Sequence, residues 1–293
     1  MAQDTTLRFY NIDYCTYQER QHGFQSADGE IKYLDVGTSD KVVMLLHGVP
    51  TSGWLYRKMI DSLVDGGMRV IVPDMLGFGA SASSKGYDLY TPTAHANRLL
   101  ALMDTLNIDK WCHVFHDFGG QVTWEMLRQD SARVSELVIL NTIIYEDGFN
   151  PPVRMKRGPI AHIAMSLYRS RLTSKFMLKQ LFKMSLHNTE LSKTEFKGYQ
   201  WPMLHGKTKA MYTFFTNTKY ALPDYSAILK NMTIPVGVVW GKHDKVLQWD
   251  AQASSVMQDL HIEQENVHLV EASHFVQEET PVAICDAVLN ITK

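Results

Sequence analysis

The hydrophobic positions of this chain follow two different periods between residues 31 and 143. Short runs rich in β-branched residues, typical of strands, are separated by longer segments with apolar residues three and four positions apart, typical of helices. The predicted strands span residues 31–36, 42–47, 69–73, 112–115 and 136–141, and the predicted helices span 54–65, 91–106 and 118–129. This alternation predicts parallel strands joined by helices.

The same alternation returns near the end of the chain. It predicts strands at residues 234–240 and 267–271, and helices at 250–260 and 281–289, the last beginning with a proline. Before the first strand, Asp28-Gly29 is typical of a hairpin turn, so at least one antiparallel strand is expected there. We therefore predict an α/β fold with a doubly wound, mostly parallel sheet.

Residues 145–225 lose the strand pattern and have helical spacing instead. An insertion that leaves after one sheet strand and returns before the next would lie over the sheet as a cap. We predict a core formed by residues 1–144 and 226–293 and a helical cap formed by residues 145–225.

The cap contains a long segment, from Gly148 to Thr189, without an acidic residue. Its basic residues are Arg154, Lys156, Arg157, Arg169, Arg171, Lys175, Lys179 and Lys183. The last four are four residues apart and predict one basic helix face, opposite an apolar face with Met177, Leu178, Leu181 and Phe182. A membrane-surface or anionic-partner role would fit such a stripe. We favour a solvated outer face over an apolar inner face.

Composition limits the class of protein. With 293 residues, of which 45% are hydrophobic, the chain can bury a large core, and a net charge of -2 gives no overall attraction to nucleic acid or to an anionic membrane. Three isolated cysteines, an N-terminus without an apolar signal region and the absence of a long apolar run predict a soluble cytoplasmic protein with no membrane span. The oligomeric state stays open between monomer and homodimer.

Asp117 stands where the strand pattern changes to a helix pattern, and Gly119 and Gly120 follow closely. This arrangement is typical of a nucleophile elbow with a carboxylate in place of the usual serine. An aspartate held there can attack an electrophilic carbon and form an ester that must then be hydrolysed. The motif alone is equally consistent with Asp117 capping the helix that follows.

Two further strand ends supply an acid and a base in a fitting order. Asp244 follows the predicted strand 234–240, and His274 follows the last strand. The order nucleophile, acid, histidine is the α/β-hydrolase order, and a histidine oriented by a carboxylate can deprotonate the water that ester hydrolysis needs. His47, His116 and His243 are rival histidines, and we expect them to be structural or in a second layer because none lies beyond the acid in the chain.

Gly48 follows the second predicted strand, where a glycine lets the next loop approach the sheet closely. The backbone N–H groups of Val49 and Phe118 would then point at the site above Asp117 and form an oxyanion hole. The alternative is that His47-Gly48 is only a tight strand exit.

The chain resembles the α/β-hydrolase superfamily, specifically the clade shared by haloalkane dehalogenases and epoxide hydrolases. The matching segments are His47-Gly48-Val49-Pro50-Thr51, Pro73-Asp74-Met75-Leu76-Gly77-Phe78-Gly79-Ala80-Ser81, the Asp117 elbow, the Asp244 loop and the His274 segment. The resemblance implies a two-step mechanism without metal or organic cofactor. Asp117 would form an alkyl-enzyme ester, which water activated by His274 and Asp244 would then hydrolyse.

The two chemistries of this clade differ in how the leaving atom is stabilised. Similar dehalogenases place a tryptophan after the nucleophile to donate to the halide, whereas Phe118 has no donor. Trp54 and Trp124 are candidate substitutes, although their helical positions favour packing, and Trp54 and His116 are the predicted substrate-binding residues. In contrast, segments 56–59 and 273–279 look more similar to dehalogenases.

Epoxide hydrolases similar to this chain use cap tyrosines to protonate the ring oxygen, a role that suits a phenol at neutral pH. Tyr168 and Tyr212 fall where that pair is expected, with Tyr145, Tyr199 and Tyr220 as competitors. We therefore predict a hydrolase that converts mainly apolar epoxides to diols. A haloalkane dehalogenase is the alternative, followed by a non-catalytic ligand-binding member of the fold.

Overall fold

In a computed structural model that describes residues 8–151, 153–217 and 222–293, eight strands form one mixed sheet. The strands are β1 (His22–Ser26), β2 (Gly29–Val36), β3 (Val42–Leu46), β4 (Arg69–Pro73), β5 (Trp111–Asp117), β6 (Val134–Thr142), β7 (Val236–Gly241) and β8 (Val267–Val270). Their order in the sheet is β1-β2-β4-β3-β5-β6-β7-β8. The strands from β4 to β8 pair in parallel, whereas β2 is antiparallel to both β1 and β4. The predicted mostly parallel sheet and its initial hairpin are confirmed.

Helices connect these strands. They are α1 (Tyr14–Glu19), α2 (Arg57–Asp65), α3 (Pro92–Thr105), α4 (Gly119–Asp130), α5 (Pro159–Leu167), α6 (Arg171–Ser185), α7 (Lys193–Leu204), α8 (Lys209–Asn217), α9 (Ser226–Lys230), α10 (Ala253–Asp259), α11 (Val276–Glu279) and α12 (Pro281–Ile291). The helix predicted from residue 54 begins with a 3₁₀ turn, because the Ser52 side chain accepts from the Trp54 N–H and starts a tighter turn first. α1 and α11 were not predicted, since six and four residues are too few to show a period.

The two central strands, β3 and β5, are buried at every residue. Strands covered on both faces are hydrophobic throughout, which explains why their sequences do not alternate. Such strands are rigid supports. The loops that leave their carboxyl ends therefore start from fixed positions at one edge of the sheet.

The segment between β6 and β7 is helical within the described residues and contains α5 to α9. Its beginning is attached to the loop after β7. The Asn150 N–H donates to the Val246 carbonyl at 2.7 Å, and the Gln248 N–H donates to the Gly148 carbonyl at 2.9 Å. We keep the name cap segment for residues 145–225, whose limits as a domain stay a prediction. Across the described parts of the chain, no helix combines the length and apolarity needed to traverse a bilayer.

Candidate active site

Asp117 is the last residue of β5 and has a φ of +52°, in the left-handed region. Such a backbone costs a residue with a side chain about 1–3 kcal/mol and persists only where the surroundings enforce it. Here the Asp117 carbonyl accepts from Thr142 Oγ1 at 2.7 Å and from the Ile143 N–H at 3.3 Å. The chain therefore turns sharply at Asp117, as the elbow motif predicts. α4 has no side-chain cap, so helix capping does not explain this aspartate.

Glycines make this turn sterically accessible. A Cβ on Gly48 would lie 2.3 Å from Asp117 Oδ1, and a Cβ on Gly120 would lie 2.1 Å from Thr142 Oγ1. Both distances are shorter than any tolerable contact. The sequence therefore needs glycine at both positions so that the loop after β3 and the start of α4 can approach Asp117.

Two backbone donors meet on the carboxylate of Asp117 itself. The Val49 N–H donates to Oδ1 at 2.6 Å, and the Phe118 N–H also hydrogen-bonds to the carboxylate. The structure thus brings together both backbone groups that the sequence suggested for an oxyanion hole. In this arrangement they can stabilise negative charge on the carboxylate and on a tetrahedral adduct at its carbon.

His274 is oriented by Asp244. Its Nδ1 lies 2.8 Å from Asp244 Oδ2, and its Nε2 lies 3.8 Å from Asp117 Oδ2. The second distance is too long for a hydrogen bond and leaves the nitrogen free to bind a small molecule. The other oxygen of Asp244 accepts from the Val246 and Leu247 N–H groups, which fixes the carboxylate in the loop after β7.

The side chains of Asp117, Asp244 and His274 are buried, and their pKa values shift in different directions. Burial raises the pKa of Asp117, although the charge of His274 and the two backbone donors oppose the shift. For Asp244, burial is outweighed by the charge and hydrogen bond of His274, so the pKa lies below its usual value. For His274, burial disfavours the cation, but the two carboxylates prevail and raise its pKa. The result is an imidazole that readily takes a proton beside two carboxylates.

Of the rival histidines, two are buried away from the cavity and the third is exposed and lines it. His47 is fully buried, its Nε2 accepts from the Met75 N–H, and burial lowers its pKa to about 4. His116 is also fully buried, with Nε2 at 2.9 Å from the His274 carbonyl oxygen. His243 is exposed and lies 2.9 Å from Glu271. None of the three contacts Asp117 through its ring in this structure, so His274 remains the candidate base.

A cavity of about 1000 Å³ lies between these residues and the cap segment. Asp117, His274 and Val49 form its floor at the strand ends, and the segment 149–151, Tyr168 directly after α5, and residues of α6 and α8 contribute to the opposite wall. Its apolar residues are Phe149, Leu181, Met184, Leu186, Phe214, Phe215, Val246 and Phe275, and its polar side chains include Tyr168, Asn150, Gln180, Lys183, His187, His243 and Lys245. Such an enclosed, mostly apolar space is typical of small-molecule sites.

Among the predicted cap tyrosines, only Tyr168 reaches this cavity. Tyr212 does not line it. Its hydroxyl is 3.2 Å from the Gly158 N–H, from which it accepts, and its ring stacks on His162 at 4.2 Å between centroids. The expected pair of proton donors is therefore not formed. Among the competitors, Tyr145 is bound to Asp259 and Tyr199 to Glu278.

Tyr220, the remaining competitor, lies outside the described residues.

The predicted substrate contacts of Trp54 and His116 also require correction. Trp54 is fully buried, and its indole N–H donates to the Glu195 carbonyl at 3.2 Å. The indole N–H of Trp124 likewise donates to the Ile143 carbonyl at 3.1 Å. Neither tryptophan, nor His116, lines the cavity. The donor groups of both indoles are satisfied by backbone, so they cannot replace a tryptophan at position 118.

Sequence reasoning missed two sets of residues that support the site. Asn141, at the end of β6, donates to Asp244 Oδ2 at 2.7 Å and accepts from the Gly241 N–H. A polar residue near the end of a buried run, beside the strand that leads to the acid, could have indicated this role. A single sequence does not show which strands are adjacent, however.

The second set is a buried ionic network. Arg57 binds Glu278 with two hydrogen bonds of 2.6 and 2.9 Å and Glu195 with one of 2.7 Å, and Lys58 pairs with both glutamates at 2.9 Å. The network joins α2 to the cap helix α7 and to α11, which follows His274. The sequence shows the charges, but their distant partners can be found only in the fold.

One group among the described residues could offer ligands to a metal ion, namely His187, His243 and Glu271, whose ligand atoms lie within 4.8 Å of one another. All three are exposed, and Glu271 already pairs with Lys242 and His243. The cluster lies near the cavity entrance, since His187 and His243 line it, and it includes none of the three buried catalytic candidates.

Comparison with known proteins places this arrangement in a family. Residues 41–281 match the model of the alpha/beta hydrolase fold. An uncharacterised hydrolase from Saccharomyces cerevisiae is 24% identical over 93% of this chain and 97% of its own length. A haloalkane dehalogenase from Mycolicibacterium paratuberculosis is 33% identical, but the match covers 43% of this chain and 40% of the dehalogenase.

The fold itself is shared with solved structures. The haloalkane dehalogenase DpaA from Paraglaciecola agarilytica superposes with a TM-score of 0.72 at 20% identity, covering 98% of this chain and 95% of that one. The dehalogenase DbeA from Bradyrhizobium elkani gives a TM-score of 0.71 at 22% identity, with 93% and 97% covered. On the family match and the fold together, the chain belongs to the alpha/beta hydrolase fold family and is a hydrolase of that fold.

Proposed function

We propose that this hydrolase opens epoxides to diols through an ester formed on Asp117. The observation that favours an epoxide is the position of Tyr168. Its ring lines the cavity, burial raises the pKa of its phenol, and its hydroxyl has no hydrogen-bond partner among the described residues. A phenol that is protonated and unengaged can donate a proton to the oxygen of an opening ring.

In the first step, Asp117 Oδ2 attacks one carbon of the epoxide. The bond between that carbon and the ring oxygen breaks, and the oxygen takes the proton of Tyr168. Oδ1 cannot attack as easily, because the Val49 N–H already holds it at 2.6 Å. The product of this step is an ester between Asp117 and a 2-hydroxyalkyl group, with Tyr168 left to regain a proton from water.

In the second step, His274 Nε2 takes a proton from a water molecule, and the hydroxide attacks the carbonyl carbon of the ester. Negative charge then develops on Oδ1, where the Val49 N–H stabilises it, and the Phe118 N–H donates to the same carboxyl group. Asp244 stabilises the imidazolium through the 2.8 Å contact with Nδ1. When the adduct collapses, the bond from the carbonyl carbon to Oδ2 breaks, the imidazolium of His274 returns its proton to the departing alkoxide, and the diol leaves. The new carboxyl group of Asp117 loses its proton to water.

Haloalkane dehalogenation is the second candidate. It is favoured by the dehalogenases to which the chain is similar. Against it, the described wall of the cavity contains no tryptophan to donate an indole N–H to a leaving halide. A halide would have to rely on the Asn150 or Gln180 amide, or on the cationic side chains near the entrance. For either substrate, the apolar wall favours a mainly hydrocarbon group.

His274→Gln separates the candidates, because the variant can form the ester but cannot hydrolyse it. We expect incubation with an apolar epoxide to add the mass of the whole epoxide to the Asp117 peptide. A bromoalkane of the same length should add nothing under the same conditions. His243→Gln is the matched control, since it changes another cavity histidine and should not accumulate an adduct.

An alkyl adduct from the bromoalkane alone would assign dehalogenation instead. The absence of any adduct from either reagent, in a variant that keeps the fold by circular dichroism, would exclude the covalent mechanism and leave a ligand-binding role. An adduct on a residue other than Asp117 would also contradict the proposal.

A further inference from the structure

Two helices of the cap segment expose large apolar side chains to solvent. On α5 these are Ile160, Ile163 and Leu167, and on α6 they are Leu172, Phe176 and Met184. Ile160 and Leu172 are 82% and 80% exposed, and Phe176 is 64% exposed. Single exposed apolar residues are common, whereas six on two consecutive helices indicate a surface with a partner.

The same surface is strongly basic. Arg171, Lys175, Lys179 and Lys183 are exposed on α6 at four-residue spacing. Within the described residues no carboxylate forms a salt bridge with any of the four. The absence of acidic residues between Gly148 and Thr189 leaves this charge uncompensated along the segment.

The sequence pattern suggested that the outward face of α6 is simply solvated. The structure shows that this face also carries apolar side chains. The inner face is apolar as expected, with Leu178 and Phe182 buried. The outward face, however, places Leu172 and Phe176 immediately after Arg171 and Lys175. Apolar residues interleaved with cations are typical of helices that lie in a membrane interface, where the side chains enter the headgroup region and the cations meet anionic lipids.

We propose that the cap surface formed by Ile160, Ile163, Leu167, Leu172 and Phe176 with Arg171, Lys175, Lys179 and Lys183 binds to membranes that contain anionic lipid. Charge favours a lipid surface over a second copy of the chain. Two copies meeting through this surface would bring the same uncompensated cations together, and like charges at an interface are unfavourable. Anionic headgroups neutralise them instead.

The position of the cavity relates the cap surface to the path by which a substrate enters. Lys183 and Met184 line the cavity and also belong to the exposed end of α6. The entrance therefore lies beside the cap surface, and an apolar substrate dissolved in the membrane could enter the cavity directly from it. The binding proposal itself does not depend on which bond the enzyme breaks.

Flotation of the full-length protein with lipid vesicles tests the proposal. We expect the protein to float with phosphatidylcholine vesicles that contain phosphatidylglycerol, to stay in solution with phosphatidylcholine alone, and to be released as salt is added. Each cation close to an anionic surface strengthens binding roughly fivefold, so Lys175→Gln with Lys179→Gln should weaken it roughly 25-fold. Phe176→Ser should weaken it as well, and the effect should persist at higher salt.

Val282→Ser and Lys110→Gln are matched controls, because they remove an exposed apolar residue and an exposed cation that do not belong to α5 or α6 and should float like the unchanged protein. Hydrolysis of a water-soluble substrate should be unchanged in all of these variants, which separates this test from the catalytic proposal. Failure to float with either kind of vesicle would overturn the proposal. Flotation that is unchanged by these substitutions would also overturn it. So would self-association, measured by sedimentation velocity and abolished by Phe176→Ser, in a protein that does not bind lipid.

Discussion

The two walls of the cavity differ in how firmly their polar groups are held. On the core wall, the Asp117 carboxylate and the His274 ring are buried, as is the Asp244 carboxylate that binds His274, and each has partners at 2.6 to 3.0 Å. On the cap wall, the Tyr168 hydroxyl and the side chains of Gln180 and Lys183 have no hydrogen-bond partner among the described residues.

The two walls are therefore expected to have different roles. The core wall is built on buried strand ends and presents one fixed set of reacting groups. The cap wall presents groups that can turn towards whatever occupies the cavity, so selectivity between substrates is expected to depend on it.

The cap wall is tested at Tyr168. If its phenol supplies the proton, Tyr168→Phe should slow ester formation from an epoxide by about 10²- to 10⁴-fold, the usual contribution of a general acid. The measurement is the rate at which the adduct appears in the His274→Gln background, which isolates the first step. Tyr212→Phe is the matched control and should react at the original rate, because that hydroxyl is engaged by the Gly158 N–H. Equal slowing in both variants would remove Tyr168 from its proposed role.

The connection between the core and the cap segment is tested at Glu278. This carboxylate is fully buried and holds Arg57 with two hydrogen bonds. Removing one partner of a buried ion pair costs about 3–5 kcal/mol, and we expect about 3 kcal/mol for Glu278→Gln because Glu195 still pairs with Arg57. Urea unfolding followed by circular dichroism measures the loss.

Lys242→Gln provides the comparison, since it breaks the exposed pair with Glu271 and should cost much less. If the two variants were equally stable, the network would not join α2 to the cap segment in the way we describe.

The core wall is tested by pH. His274 acts as a base only when neutral, so ester hydrolysis should fall about tenfold for each pH unit below its pKa. In the free enzyme two carboxylates raise that pKa. The ester removes the charge of Asp117, so its contribution disappears and the pKa governing hydrolysis should lie below that of the free enzyme.

Single-turnover ester hydrolysis across pH gives the pKa that governs hydrolysis, and NMR titration of the His274 ring gives the pKa in the free enzyme. The exposed His243→Ala variant should leave both unchanged. A kinetic value equal to or above the free-enzyme value would contradict the 3.8 Å arrangement of Asp117 and His274 as the source of the shift.

The sequence was informative wherever function depends on a strand end. Asp117 ends one buried strand, Asp244 follows another, and His274 follows the short strand β8. The positions of strand ends along a chain can be read from hydrophobic period. Parallel strands then place their carboxyl ends on one edge, so three distant residues were expected to meet. The structure brings them together, and it places the N–H groups of Val49 and Phe118 on Asp117.

The cap was less accessible to this reasoning. Periodicity gives a helix two faces but does not say which neighbour each face meets, and for this reason Tyr212 was assigned to the cavity although it packs against His162 and Tyr87. Trp54 was misplaced for a similar reason, because its partner Glu195 lies 141 residues away. The outward apolar residues of α6 were hidden by the regular spacing of its cations.

The two oxygens of Asp117 have different surroundings, since the Val49 amide holds one and the other faces His274. Under the proposed reaction, the product departs with the second oxygen, and solvent restores the carboxylate. Each enzyme molecule would therefore give its first product an atom incorporated during its own synthesis on the ribosome. In water enriched in a heavy oxygen isotope, only the first product of each enzyme molecule would lack the heavy isotope.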